Sequence, residues 1–349
     1  MKQDELFDVT VIGGGPAGLY SAFYSGLREM KTKIIEYQPV LGGKVHVYPE
    51  KMIWDIGGLT PTPAAKFIDQ IIEQGLTFHP TVVMNEKIES INKNDEGMFV
   101  LQAASGQIHY SKTVIVAVGG GILNPQRLDI EGAERFEVSN LNYTVKSLQR
   151  FKDKTVIISG GGNTAIDWAN ELQSIAKNVF LTYRKDVLSG HEAQASRLLN
   201  GSAVCYFNCS ITKLIARANK DLIEHVELTN HETKEIVSLP IDEVIINHGY
   251  ERDTSLLENS PIDIEIAEGY YIAGNASSES SIPGLYAAGD ILHHEGKLHL
   301  IAGAFQDAAN AVNKAKQYIQ PGAEKFGMVS SHNELFKQRN REIIQSMVH

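Results

Sequence analysis

The chain has 349 residues, 43% of them hydrophobic and 21% charged, enough for two domains with separate cores. Its formal net charge of −10 argues against nucleic acid or an anionic membrane surface as the main partner. No apolar run approaches the roughly 20 residues of a membrane helix. The polar start MKQDELFDVT predicts no secretory leader, and only two cysteines, Cys205 and Cys209, suit a reducing compartment; both point to a cytoplasmic location.

The first element is an apolar strand from about Phe7 to Ile12. It runs into Gly13-x-Gly15-Pro16-Ala17-Gly18 and then a helix. Gly13 permits a tight turn, Gly15 lets the backbone approach a pyrophosphate, and Gly18 allows close helix–strand packing. The helix N-terminus offers N–H groups and partial positive charge to phosphates. The next strand, TKIIEY, ends in Glu36, 18 residues beyond Gly18. A carboxylate there accepts ribose hydroxyls and repels a 2′-phosphate, so this loop fits FAD or NAD and not NADP.

A second loop follows the strand KTVIIS: Gly160-x-Gly162-Asn163-Thr164-Ala165, opening the helix TAIDWANELQSIA. Its next strand, NVFLTYRKD, carries Arg184 and Lys185 where the first loop has Glu36. Cations there pair with a 2′-phosphate, Arg in a bidentate manner. The second loop is therefore assigned to NADPH and the first to FAD. Cys205 and Cys209 lie in the strand-like SAVCYFNCSITKLI, spaced C-x₃-C, and read as buried structural residues.

Further on, SIPGLYAAGDI reads as a strand ending at Gly289-Asp290, whose carboxylate is a candidate for a flavin's ribityl hydroxyls or else a helix-start residue. A helix over about Ala304–Ile319 would aim its positive end at the flavin pyrimidine. In the tail, Ser331-His332-Asn333-Glu334 reads as a capping box. Leu335, Phe336, Ile343, Ile344 and Met347 form an imperfect apolar stripe after it. His191, His293, His294 and His299 have no metal-ligand pattern, and no metal site is expected.

In order, VIGGGPAGL, TVIVAVGGGILNPQRLDIEGAERF, VIISGGGNTAIDWA and SIPGLYAAGD resemble the two-dinucleotide-binding flavoproteins over nearly the whole chain. The resemblance implies an α/β, thioredoxin-reductase-like fold: two Rossmann-like domains, the NADP domain (120–248) inserted into a discontinuous FAD domain (1–119 and 249–349, with a C-terminal extension from about 320). The thioredoxin reductases themselves carry a CxxC pair before the second glycine loop. Here that stretch, EVSNLNYTVKSLQRFKDKTVIIS, has no cysteine.

LGGKVHVYPEKMIWDIGG, NLNYTVKSLQRF and the chain from AAGDILHHEGKLHLIAGAF onward are similar to the ferredoxin–NADP reductases of thioredoxin-reductase-like type. That resemblance implies hydride transfer between NADPH and FAD, then single-electron transfer to ferredoxin or flavodoxin, in a homodimer. It implies no acid or base residue for the hydride step. It also implies FAD contacts at Glu36, Lys44, Ile88, Leu123, Asp290 and Ser331, with Tyr48 stacked on the flavin; without it, Tyr48 reads as a half-buried core residue. Lys44 replaces a usual glutamine and Leu123 a usual phenylalanine. Val329 stands where relatives carry a stacking aromatic, with His332 three residues later. Ser189 replaces a frequent third arginine, implying a weaker grip on the 2′-phosphate. Lys146, Arg150, Lys152 and Lys154 are a candidate patch for an acidic carrier, or a solvated face. The alternative function is an NADPH-dependent flavoprotein reductase of a low-molecular-weight disulfide or other small acceptor.

Overall fold

The computed structural model describes residues 5–121, 124–219, 221–251, 253–327 and 329–348; some side chains of the last helix and its approach, among them those of Ser331 and Leu335, lie outside the described set. The chain forms two compact units. Unit 1 comprises residues 1–46, 51–122 and 252–349; unit 2 comprises 47–50 and 123–251.

Unit 1 is built on a seven-stranded sheet. Strands Thr81–Val83, Thr32–Ile35, Leu6–Ile12 and Ile108–Val116 lie side by side in parallel. Their carboxyl-terminal halves are apolar or β-branched (VTVI, II, TVV and TVIV), as expected for strands buried on both faces. Strand Ile108–Val116 divides its second edge. Its first half pairs antiparallel with Phe99–Ala103, and its second half pairs in parallel with Leu285–Ala287 from the far end of the chain. Helix Pro16–Leu27 packs beside helix Ile301–Ile319. Val9, Val11 and Ile115 meet Ala304, Ala308, Ala311 and Val312 in that layer, where the alanine row permits close approach. The opposite face buries Ile91, Phe99, Leu101, Val114 and Val116 with Leu256, Ile272 and Leu285.

Unit 2 has a five-stranded parallel sheet, in the order Val204–Phe207, Asn178–Tyr183, Thr155–Ser159, Glu243–Ile246 and Leu141–Asn142. Helix Asn163–Leu172 covers one face through Ile166, Trp168, Ala169 and Leu172. The other face is covered by an antiparallel three-stranded sheet, Cys209–Ala216, Ile223–Asn230 and Ile236–Pro240. Both units are thus Rossmann-like, with a glycine turn after Leu6–Ile12 in unit 1 and after Thr155–Ser159 in unit 2.

Three expectations are corrected. The stretch around the cysteines is two strands, not one: Asn208 takes φ +54° and turns the chain between Phe207 and Cys209. The helix expected from about Ala304 begins at Ile301; Gly303 lies inside it, where an added Cβ would stand 2.2 Å from Leu298 O. The terminal helix starts later than a cap at Ser331 would place it. Ser330–His332 is a 3-10 turn and the terminal helix starts only at Glu334, after Asn333 accepts the Phe336 N–H. Glu334 pairs forward with Lys337.

The chain leaves and re-enters unit 1 at one place. A Cβ on Gly121 would lie 3.2 Å from Asp253 N. In unit 2 the corresponding ends are bonded: Pro125 and Tyr250 form an antiparallel bridge, Gln126 N–H donates to Gly249 O (2.9 Å), and Glu251 N–H donates to Asn124 O (2.8 Å).

Candidate functional site

In unit 1 the first turn is fixed by contacts that leave no room for side chains. Gly13 has φ +108°, and a Cβ on it would lie 2.4 Å from Ala117 O. A Cβ on Gly18 would overlap the Gly13 carbonyl at 1.8 Å. Helix Pro16–Leu27 starts with Gly15 as its N-cap, Pro16 in its first turn and no side-chain cap. Its first N–H groups are therefore free of internal partners and suited to an anion. Glu36 is 7% exposed. Its Oε2 accepts the Gly14 N–H (2.6 Å) and its Oε1 the Gln38 N–H (2.7 Å). Each carboxylate oxygen keeps a lone pair for a ribose hydroxyl. An uncapped helix end with a buried carboxylate beside it fits the adenosine end of FAD.

The remaining residues expected against FAD do not all fall in unit 1. Asp290 lies in the 3-10 turn Gly289–Ile291, partly exposed, with its Oδ1 3.8 Å from His299 Nδ1. Lys44 is exposed in the 3-10 turn Gly43–Val47. Ile88 is buried at the start of its strand, opposite Ala103. Leu123 and the side chain of Ser331 lie outside the described residues. Val329 is exposed. Tyr48 falls in the 47–50 segment that belongs to unit 2, half-buried against the core of Val145, Phe151 and Trp168.

Unit 2 has a cleft of about 450 Å³ at the carboxyl ends of its parallel strands. Gly160, Gly162, Asn163, Thr164, Ala165, Arg184, Ser189, Asn247 and His248 are among its lining. Helix Asn163–Leu172 starts at Gly162, again without a side-chain cap. A Cβ on Gly160 would come within 2.5 Å of Asn247 O and 3.1 Å of the Ala165 methyl, so alanine already fills the place of a third glycine. The Asn247 Oδ1 is buried without a hydrogen-bond partner. An uncapped helix end and a cation in one cleft fit a dinucleotide phosphate, and the orphaned Asn247 acceptor fits a donor such as a ribose hydroxyl. Arg184 reaches the cleft from the end of strand Asn178–Tyr183; Lys185, the next residue, is solvent-exposed.

Two features of the cleft have no local sequence signal. Ser189 donates to Gly161 O (Oγ 3.1 Å, N 2.8 Å), folding the 184–191 segment back onto the glycine turn. His248 follows strand Glu243–Ile246, with its Nε2 2.8 Å from Ser159 Oγ. Its ring reaches solvent, yet the protein packed behind it pushes its pKa down by desolvation, and the Arg184 guanidinium adds to that. The bonding of Ser159 and His248 joins strands 89 residues apart.

Two sequence expectations change in this light. Of the four cations in KSLQRFKDK, Arg150 and Lys154 both pair with the carboxylate of Glu243, which is 3% exposed; Lys146 and Lys152 remain exposed. Glu243 offsets one of the four positive charges of the candidate carrier patch. Cys205 and Cys209 are both free thiols, and burial pushes the Cys205 pKa up, away from the reactive thiolate. Among the described residues no group of three His, Cys, Asp or Glu could hold a metal ion, and no helix is long and apolar enough to cross a membrane.

Two Rossmann-like sheets, each with an uncapped glycine-turn helix, define the class of two-dinucleotide flavin oxidoreductases. The family model of the pyridine nucleotide-disulphide oxidoreductases matches residues 7–315. Ferredoxin–NADP reductase 1 of Bacillus mycoides is 75% identical over 348 residues, the full length of both chains. Its namesake in Oceanobacillus iheyensis is 72% identical over 97% of each chain. Thioredoxin reductase of Lactococcus lactis superposes with a TM-score of 0.75 at 22% identity, over 90% of this chain and 99% of its own. Bacillithiol disulfide reductase of Bacillus cereus superposes at 0.68 with 20% identity, over 90% of this chain and all of its own. The chain belongs to the pyridine nucleotide-disulphide oxidoreductase family and, within it, to the ferredoxin–NADP reductases of thioredoxin-reductase-like fold.

Proposed function

We propose that this chain is a ferredoxin–NADP reductase in which unit 1 holds FAD, unit 2 holds NADPH, and the electrons pass to ferredoxin or flavodoxin. The observation that carries this reading is the reversal of charge at equivalent places: Glu36 after the second parallel strand of unit 1, and Arg184 after the matching strand of unit 2. Glu36 would hold the adenosine ribose of FAD, the free N–H groups of Gly15, Ala17 and Gly18 its pyrophosphate, and Asp290 its ribityl chain. Arg184 would hold the 2′-phosphate of NADPH, and Gly162 to Ala165 its pyrophosphate. Tyr48, Lys44, Ile88, Leu123 and Ser331 are assigned to the flavin by family resemblance.

FAD supplies the exchange between a hydride pair and single electrons. The side chains position both cofactors, and none is needed as acid or base. A protein that divides electron pairs for one-electron carriers has no need of redox thiols, in keeping with the unpaired Cys205 and Cys209. The terminal helix leaves Ile343, Ile344 and Met347 exposed on one element, which supports a homodimer that covers them. Lys146 and Lys152 are the cations left for an acidic carrier. A cytoplasmic location follows from the cysteine usage and from such carriers.

The test is NADPH-driven cytochrome c reduction by the purified protein, with and without added ferredoxin or flavodoxin. Strong stimulation by a carrier is expected. NADPH bleaching of the flavin without such stimulation would move the function to a disulfide or other small acceptor. No bleaching would remove the assignment of NADPH to unit 2.

A further inference from the structure

Unit 1 contains an ion pair that the reading above does not use. Lys297 and Asp307 meet with side chains only 4% and 10% exposed. Lys297 precedes helix Ile301–Ile319, and Asp307 is in its second turn. The same carboxylate oxygen, Oδ2, also accepts the N–H of Gly289 at 3.0 Å. Ser278 Oγ donates to the Asp307 carbonyl at 2.9 Å. Asp307 thus binds its own helix to two other segments of unit 1.

Gly289 is the residue before Asp290, and it has little freedom. It takes φ +78°, and a Cβ on it would stand 3.0 Å from the Ala17 methyl, in the first turn of the glycine-loop helix. The 289–291 turn is therefore wedged between the first glycine loop and helix Ile301–Ile319, and its backbone is held from the helix side by Asp307. A buried ion pair is a poor source of net stability, because desolvation cancels most of the Coulomb attraction. Two apolar side chains would fill the same volume at no loss. What apolar side chains cannot supply is an acceptor under the Gly289 N–H.

We propose that Lys297 and Asp307 are a positioning pair for FAD: Asp307 sets the Gly289 backbone so that Asp290 faces the cofactor, and Lys297 keeps the Asp307 carboxylate aimed at that backbone. This rests on the assignment of FAD to unit 1 through Asp290. Neither residue touches the cofactor in this scheme, and both act through Gly289.

The experiment compares two double variants of the full-length protein, Lys297→Met/Asp307→Leu and Lys297→Met/Asp307→Asn. Both remove the ion pair; only the second keeps an acceptor for Gly289. Each is stripped of flavin and titrated with FAD, following flavin fluorescence, with 2′,5′-ADP binding to unit 2 and the thermal midpoint of the flavin-free protein as controls. The Leu variant is expected to bind FAD about tenfold or more weakly than the Asn variant, the fold-change of one lost buried hydrogen bond. 2′,5′-ADP binding should match between the two, and the flavin-free midpoint of the Leu variant should drop by no more than the loss of one buried hydrogen bond explains. Equal FAD affinity in the two variants would overturn the proposal. So would a weakening that only follows a lower thermal midpoint, since the pair would then be structural. Asp290→Asn in the same titration separates the underlying assignment: unchanged affinity there removes Asp290 from the FAD site and the proposal with it. Weakened affinity there, with the two doubles alike, removes the positioning role alone.

Discussion

The turn at Gly13–Gly18 and the turn at Gly160–Ala165 start from the same architecture and are finished in opposite ways. In the first, the charged residue after the second strand is buried and both its oxygens are occupied by backbone N–H groups. Glu36 is fixed before any ligand arrives. In the second, the charged residue is exposed, and the nearest fixed groups are neutral: Ser189 on Gly161 O, His248 on Ser159. The first turn has the build of a site for a resident cofactor, whose ribose meets a set acceptor. The second has the build of a site for a cofactor that comes and goes, gripped by a cation that stays hydrated between visits. At position 18 an added Cβ would meet the Gly13 carbonyl, whereas position 165 already carries a methyl.

The contrast breaks most severely at those two small residues. Gly18→Ala drives a methyl into the Gly13 carbonyl and should cost about 3 kcal/mol or more. The expected outcome is protein purified with little flavin and a lowered thermal midpoint. The mirror change, Ala165→Gly, relieves contacts and costs about 1 kcal/mol through helix propensity; thermal unfolding of both variants reads the difference. Equal losses would show that the Gly13 carbonyl yields to a methyl at position 18.

The charge reversal is sharpened by Arg184→Gln. Losing a charged hydrogen bond of about 1.5–3 kcal/mol should raise the KM for NADPH by roughly 10- to 100-fold and leave the KM for NADH nearly unchanged. Steady-state kinetics with both nucleotides checks this, and a parallel rise for NADH would place Arg184 on the pyrophosphate instead. The same variant makes a finer prediction. With the guanidinium gone, the His248 pKa should rise, because one of the two causes holding it down is removed. The pH titration of its ring proton by NMR is the measurement.

Unit 1 has its own histidine held neutral, away from the glycine turn. His109 is buried, with its Nδ1 3.3 Å from Lys33 Nζ. Desolvation pushes its pKa below the ordinary 6.5, Lys33 adds to this, and Glu86 opposes it. As pH falls below about 6.5, the unfolded chain takes up a proton that the folded chain refuses. Stability then falls with acidification, by at most about 1.4 kcal/mol per pH unit, until the folded pKa is passed. His109→Gln should flatten the thermal midpoint between pH 7 and pH 5.5, roughly the window of that transition. An unchanged slope would assign acid sensitivity to other groups.

What the sequence made legible was local. Both glycine turns, the strands that feed them and the residues that follow the next strands are written in runs of fewer than forty residues. The α/β fold of two Rossmann-like sheets followed from them. The tertiary pairings were not legible. Lys297 with Asp307, Glu243 with Arg150 and Lys154, and Ser159 with His248 each depend on which elements the fold sets side by side. A run of basic residues such as KSLQRFKDK reads as a patch until the fold brings Glu243 up beneath it. The terminal helix start was misread for a related reason: Ser331 and Glu334 have the capping-box spacing, and a 3-10 turn occupies that spacing instead.

The meeting of Gly121 with Asp253 bears on how the chain assembles itself. A flexible insert on the order of 130 residues would oppose the closing of the unit 1 sheet by about 4 kcal/mol of chain entropy. Unit 2 already joins its own two ends through the Pro125–Tyr250 bridge. Once it has folded, the segment Leu285–Ala287 seeks its place beside Val114–Val116 as if a loop of roughly 40 residues intervened. The second unit then serves the first as a molecular clasp during synthesis, bringing the late strand home to a sheet begun long before.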